Sequence, residues 1–130
     1  MGARIVVFGA TGYTGRLVLA ELVALGCRPV VAGRTAAQVE ALAAEHGLDG
    51  AVADATRPGS VRALPEPGDV LVTTVGPYSL YGQSALDAAV DARAHYLDIA
   101  GEAGFVRGVF GEAGPRAEAA GCALLRLRRA

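Results

Sequence analysis

The chain has 130 residues, 52% of them hydrophobic and 19% charged, with a formal net charge of -1. That length fits one domain able to bury about two-thirds of the surface its unfolded chain exposes. The apolar content and nearly balanced charge exclude a disordered chain, and the lack of a basic run excludes a nucleic-acid binder that works by neutralising many phosphates. Arg126, Arg128 and Arg129 make the one basic cluster, a short tail. Mean hydropathy is +0.37, yet the longest uncharged stretch, between Asp69 and Asp87, contains Gly76, Pro77, Ser79, Gly82 and Gln83. That is too polar and too broken for a spanning helix. The start, Met1-Gly2-Ala3-Arg4, has no signal-peptide layout, and Cys27 and Cys122, far apart and each beside apolar residues, read as two buried reduced thiols. The expectation is a soluble, cytoplasmic protein without a membrane segment.

All 12 of the Lys and Arg residues are arginine. Without lysine there is no Walker-type phosphate loop, no Schiff base and no tyrosine-lysine pair of the ordinary short-chain dehydrogenase kind. His46 and His95 stand apart, without ligands at metal-binding spacing, and no serine sits in a Gly-x-Ser-x-Gly elbow.

In chain order, Arg4 to Phe8 predicts a buried strand, followed by a glycine loop and a helix from about Thr14 to Leu25, stopped by Gly26. Arg28 to Ala32 predicts a second strand, Ala36 to His46 a second helix ended by Gly47, Ala51 to Ala53 a third strand, and Pro58 to Leu64 a short helix. Asp69 to Val75 is the fourth and most apolar strand. A helix from about Gln83 to Arg93, a strand from His95 to Ile99, a helix over roughly Gly111 to Ala120 and a strand from Cys122 to Leu127 complete the rhythm. Strands alternating with helices of this length require right-handed parallel crossovers. The expected fold class is α/β, a doubly wound parallel six-stranded sheet of order 3-2-1-4-5-6 in a single domain, the arrangement that binds dinucleotides.

The sharpest motif is Gly9-Ala10-Thr11-Gly12-Tyr13-Thr14-Gly15, between the first strand and the first helix. At that address Gly9 turns the chain, Gly12 lets the backbone approach a pyrophosphate, and Gly15 lets helix and sheet pack closely. The unpaired N–H groups of the first helical turn then face phosphates. The second strand ends Ala32-Gly33-Arg34-Thr35, with no carboxylate for the ribose hydroxyls of NAD. Arg34 would instead pair with a 2′-phosphate, so the coenzyme read here is NADP, with NAD possible. Asp54, after the third strand, reads either as an acceptor for an adenine amino group or as a turn or capping carboxylate.

Beyond the fourth strand, Val75, Gly76, Pro77 and Tyr78 would border the nicotinamide. Tyr78 or Tyr81 contacts ligand or seals the edge of the core. Asp98, a carboxylate in an apolar strand, must be paired, hydrogen-bonded or facing the crevice, and Glu102 follows at the strand's carboxyl end. These two are candidates for a substrate cleft, with capping of the segment after Gly101 as the alternative. His95 reads as the start of its strand.

Taken together, G-A-T-G-Y-T-G, A-G-R-T, T-V-G-P-Y…Y-G and H-Y-L-D-I-A-G-E resemble the N-terminal cofactor domain of saccharopine dehydrogenase-like oxidoreductases, in the branch of bacterial trans-acting enoyl reductases. The resemblance runs from about Arg4 to Leu125. It implies an NAD(P)-binding Rossmann domain over residues 1–127, followed by a basic tail over 128–130. Gly9, Thr11, Gly12, Tyr13 and Gly15 would lie at the pyrophosphate, Arg34 at the 2′-phosphate, Val75 to Tyr78 near the nicotinamide, and Y-L-D-I-A-G-E at the base of the cleft. The family continues into a second, substrate-shaping domain, whereas this sequence stops after Arg126-Leu127-Arg128-Arg129-Ala130. The expectation is therefore a coenzyme-binding domain of a hydride-transferring oxidoreductase that does not turn over alone. Its alternatives are a non-catalytic NADP(H) sensor acting through a protein partner and a truncated remnant. A homodimer or a separate chain carrying the substrate domain is the matching expectation for partners.

Overall fold

The computed structural model describes residues 3–99, 107 and 109–126. Strands β1 (Ile5–Phe8), β2 (Val30–Gly33), β3 (Gly50–Val52), β4 (Val70–Thr73), β5 (His95–Asp98) and β6 (Leu124–Arg126) form a six-stranded sheet in the order β3-β2-β1-β4-β5-β6. Every pairing is parallel, so the expected order and direction hold. The crossovers are α1 (Tyr13–Ala24), α2 (Ala36–His46), α3 (Pro58–Arg62), α4 (Tyr78–Asp91) and a π-helical turn (Val109–Ala113) that runs into α5 (Gly114–Ala120).

The period-two alternation of β1 divides the core between the two faces of the sheet. Val7 joins Val31, Leu19 of α1, and Val39 and Leu42 of α2 on one face. Val6 and Phe8 join Leu71, Tyr96, and Leu86 and Ala89 of α4 on the other. A sheet covered on both sides explains why its central strands are apolar without interruption.

Several element ends depart from the sequence reading. Helix α4 begins at Tyr78 rather than near Gln83. Pro77 stands at its N-cap, where a missing N–H costs nothing, and Gly82, read as a loop residue, is buried inside the helix. β4 is shorter than Asp69 to Val75: Thr74 and Val75 leave it to enter the site described below, and Asp69 is drawn out by Arg4. The Arg4 guanidinium meets Asp69 Oδ2 at 2.7 Å and 3.1 Å, while the amides of Arg4 and Glu66 reach the carboxylate at 2.9 Å each. Burial alone would raise the pKa of Asp69, but these donors outweigh it and hold the carboxyl below its ordinary value. The last helix is preceded by a π-helical turn, and β6 begins at Leu124 rather than Cys122. The expected end of that strand at Leu127 lies outside the described residues. His95 opens β5, and its Nδ1 accepts the Ala123 amide at 2.9 Å, tying β6 to β5. Cys27 and Cys122 are both free and half-buried rather than fully buried.

Candidate functional site

At the carboxyl edge of the sheet, β1 and β4 lie side by side while their helices depart to opposite faces. Between them opens a cleft of about 310 Å³, at the place where doubly wound sheets take ligands. Its walls are Phe8, Gly9, Thr11 and Gly12 after β1, Gly33 and Arg34 at the end of β2, residues 53–56 after β3, Thr74, Val75 and Gly76 after β4, and Tyr81 of α4.

The glycine loop is built by close contacts. Gly9 has φ +87°, and its N–H donates to the Ala32 carbonyl at 3.0 Å. Its own carbonyl accepts the Gly12 N–H at 3.1 Å. A Cβ on Gly15 would stand 1.9 Å from that same Gly9 oxygen, so α1 starts directly against the loop. No side chain caps α1, and its first helical hydrogen bond runs from the Arg16 N–H to the Gly12 carbonyl at 2.9 Å. The amides of Tyr13, Thr14 and Gly15 therefore have no intrahelical partner, at the positive end of the helix. None of these three residues lines the cleft, and Tyr13 is 84% exposed and points away from the core.

At the β2 end, Arg34 is exposed and makes no hydrogen bond or ion pair among the described residues. Asp54 accepts the Thr56 amide at 2.8 Å and the Thr56 hydroxyl at 2.7 Å, both on Oδ1. Thr56's hydroxyl, then its amide, hold the Asp54 carboxyl below its ordinary pKa. Asp54 is thus a turn carboxylate that also lines the cleft, and its Oδ2 has no hydrogen-bond partner among the described residues.

On the β4 side, Val75 and Gly76 line the cleft, whereas Pro77 and Tyr78 do not. The Gly76–Pro77 bond is cis. Tyr78 turns into the core, 7% exposed, and its hydroxyl donates to the Thr73 carbonyl at 3.0 Å. Of the two tyrosines, Tyr78 seals the edge of the core and Tyr81 faces the cleft. Asp98 is wholly buried and accepts the Tyr96 hydroxyl; burial, reinforced by this carboxylate, pushes the Tyr96 phenol far above its ordinary pKa. Asp98 does not line the cleft, and Glu102 lies outside the described residues. Two side-chain contacts to the glycine loop escaped the sequence reading, as did Phe8, Ala53, Ala55 and Thr56 of the cleft wall. Arg16 Nε donates to the Thr11 carbonyl at 3.0 Å, a contact foreshadowed by its place one turn after Gly12. Thr74 reaches the glycine loop from just past the end of β4, which no local spacing announces.

Such a sheet, with a glycine loop and an uncapped helix opening on a cleft at its switch point, defines a nucleotide-coenzyme-binding domain of the Rossmann type. The chain belongs to the saccharopine dehydrogenase NADP binding domain family, which it matches over residues 5–124, and its coenzyme is NADP. A trans-acting enoyl reductase of Mycobacterium leprae is 38% identical over 111 residues, and one of Mycobacterium tuberculosis is 34% identical over 110. Each match covers 79% of this chain and 26% of the relative, so the chain spans about a quarter of the length of these curated relatives. Among solved structures, saccharopine dehydrogenase (L-Glu forming) from Saccharomyces cerevisiae aligns with TM-score 0.76 at 19% identity, over 96% of this chain and 27% of that one. Triphenylmethane reductase from Citrobacter sp., complexed with NADP(H), aligns with TM-score 0.73 at 20% identity, over 97% of this chain and 49% of that one. These likenesses show the shared fold. Among the described residues no helix is long and apolar enough to cross a membrane, and no three His, Cys, Asp or Glu side chains are grouped to hold a metal ion.

Proposed function

We propose that this chain is the coenzyme-holding domain of an NADPH-dependent reductase whose substrate carries an activated carbon–carbon double bond, the class named by its enoyl reductase relatives. The observation that carries the reading is the cleft itself, bounded by an uncapped helix start on one side and by the exposed Arg34 on the other. The residues present fit the group. Gly12, Gly33 and Gly76 line the cleft without side chains to fill it, and the flanking donors are cationic or main-chain amides suited to phosphate.

On this reading the loop of Gly9, Thr11 and Gly12 and the amides of Tyr13, Thr14 and Gly15 hold the diphosphate. Arg34 meets the 2′-phosphate, and Asp54 offers Oδ2 to the adenine amino group while Oδ1 holds its turn. Val75 and Gly76 border the nicotinamide ribose, with Pro77 and Tyr78 fixing that rim from behind. Asp98 and Tyr96 brace the floor of the sheet beneath it. When bound, the coenzyme supplies hydride; the chain's own work is to bind and orient it. Closing the substrate against the ring and excluding water fall to structure beyond this domain, of the kind that makes up the rest of the relatives' length. We place the protein in the cytoplasm, where its free thiols stay reduced.

Titration followed by NADPH fluorescence tests the reading: saturable binding is expected, and no response at millimolar coenzyme overturns it. Arg34→Ala should cost on the order of 1.5–3 kcal/mol, roughly tenfold or more in affinity, for NADPH and leave NADH unchanged. An equal loss for both coenzymes would remove Arg34 from the phosphate.

A further inference from the structure

We propose that Thr74 is a positioning residue for the coenzyme's diphosphate: its hydroxyl, reaching across from the residue after β4, joins the Ala32 carbonyl in fixing the Gly9–Ala10 peptide plane and with it the direction of the glycine-loop amides. The inference rests on the NADP-binding reading above. The Gly9 carbonyl is a meeting point of three segments. It accepts the Gly12 N–H at 3.1 Å within the loop, it abuts Gly15 of α1 with no room for a Cβ, and it accepts the Thr74 hydroxyl at 3.2 Å. The same hydroxyl lies 3.3 Å from the Phe8 carbonyl, whose oxygen also takes the Thr74 N–H at 3.0 Å.

A glycine at φ +87° gives its peptide little intrinsic preference among orientations, so the plane is held by its partners. Gly12, the nearest of them, belongs to the loop that must be held. Two holds come from outside it: the Ala32 carbonyl of β2, which takes the Ala10 N–H of the same peptide at 3.1 Å, and the hydroxyl of Thr74, which follows directly on β4 and keeps its own N–H on the Phe8 carbonyl of β1. Its neighbour Thr73, buried, accepts the Val75 amide at 3.3 Å. Adjacent threonines therefore serve the two rims of the cleft, one holding the loop after β1 and the other the exit of β4.

Three proteins decide it: the wild-type chain, Thr74→Val and Thr74→Ser, each titrated with NADPH and with adenosine 2′-monophosphate, which lacks the diphosphate. Valine keeps the shape and removes the donor, while the Gly9 carbonyl still holds the Gly12 amide, so folding is expected to survive. Thr74→Val should lose about fivefold in NADPH affinity, the scale of one hydrogen bond, with adenosine 2′-monophosphate binding unchanged and Thr74→Ser close to wild type. NADPH affinity unchanged in Thr74→Val, or an equal loss of both ligands, would overturn the role. A flat wild-type NADPH titration would overturn the underlying reading and this inference with it, and would be seen before any variant is made.

Discussion

At Gly15 a Cβ would come within 1.9 Å of the Gly9 carbonyl oxygen, whereas at Gly12 the nearest atom is that same oxygen at 3.5 Å, an ordinary contact. The two glycines, three residues apart in one motif, therefore answer to different demands. Gly15→Ala gains about 1 kcal/mol of helix propensity but drives a methyl into backbone that cannot swing aside. Overpacking of that kind costs about 1–3 kcal/mol, and a clash with backbone lies at the upper end, so a net loss of up to about 2 kcal/mol is expected in urea unfolding. Gly12→Ala has room and a φ of -79° that alanine tolerates, so stability should stay within about 0.5 kcal/mol of wild type. Its methyl nevertheless stands on the cleft wall, and NADPH affinity should fall at least roughly tenfold. If Gly15→Ala proved as stable as Gly12→Ala, the close packing of α1 on the loop would be refuted. The spacing of these glycines made the loop legible in the sequence. The contacts that hold it, from Thr74 and Arg16, were not, because a hydroxyl 65 positions away from its acceptor leaves no local pattern.

The strand order and direction could be read from the alternation of apolar runs with helical periods, because both faces of each central strand are buried and nothing polar interrupts them. The element ends were less legible. Pro77 and Gly82 both look like loop residues from sequence, yet one caps α4 and the other is buried inside it, since packing against the sheet overrides propensity. At the start of β4 the misread residue was Asp69, counted as strand but held by four donors from Arg4 and Glu66. This cluster ties the entry of β4 to the entry of β1. Asp69→Asn should cost about 2 kcal/mol at neutral pH, less than a fully buried pair because Arg4 is 38% exposed. The folded-state pKa lies below the unfolded value, so the stability it contributes is present above that unfolded value, near 3.8, and is lost as pH falls through the folded one. Urea midpoints of wild type and Asp69→Asn should differ steadily above about pH 5 and converge in stronger acid. A gap that persisted in acid would show that the carboxylate's charge is not what holds these strands.

Across the whole molecule, the site belongs to neither half of the sheet. Loop amides and Arg34 come from the ends of β1 and β2, and Val75, Gly76 and Tyr81 come from the exit of β4 and from α4. A ligand bridging that seam binds the folded chain and has no equivalent in the unfolded one. Mass action then dictates the size of its effect: at one hundred times its dissociation constant, NADPH should stabilise the fold by about 2.7 kcal/mol. For a chain of 130 residues that corresponds to a rise in melting temperature of roughly 10 °C. NADH at the same concentration should give a smaller rise, because it leaves Arg34 without a phosphate, and Arg34→Ala should bring the two coenzymes level. The melting temperature also reports which half is engaged. Adenosine 2′-monophosphate, confined to the Arg34 and Asp54 end, should raise it in Gly12→Ala as much as in wild type, while the rise with NADPH shrinks. Equal rises with NADPH in both proteins would mean that the coenzyme does not cross the seam at the glycine loop.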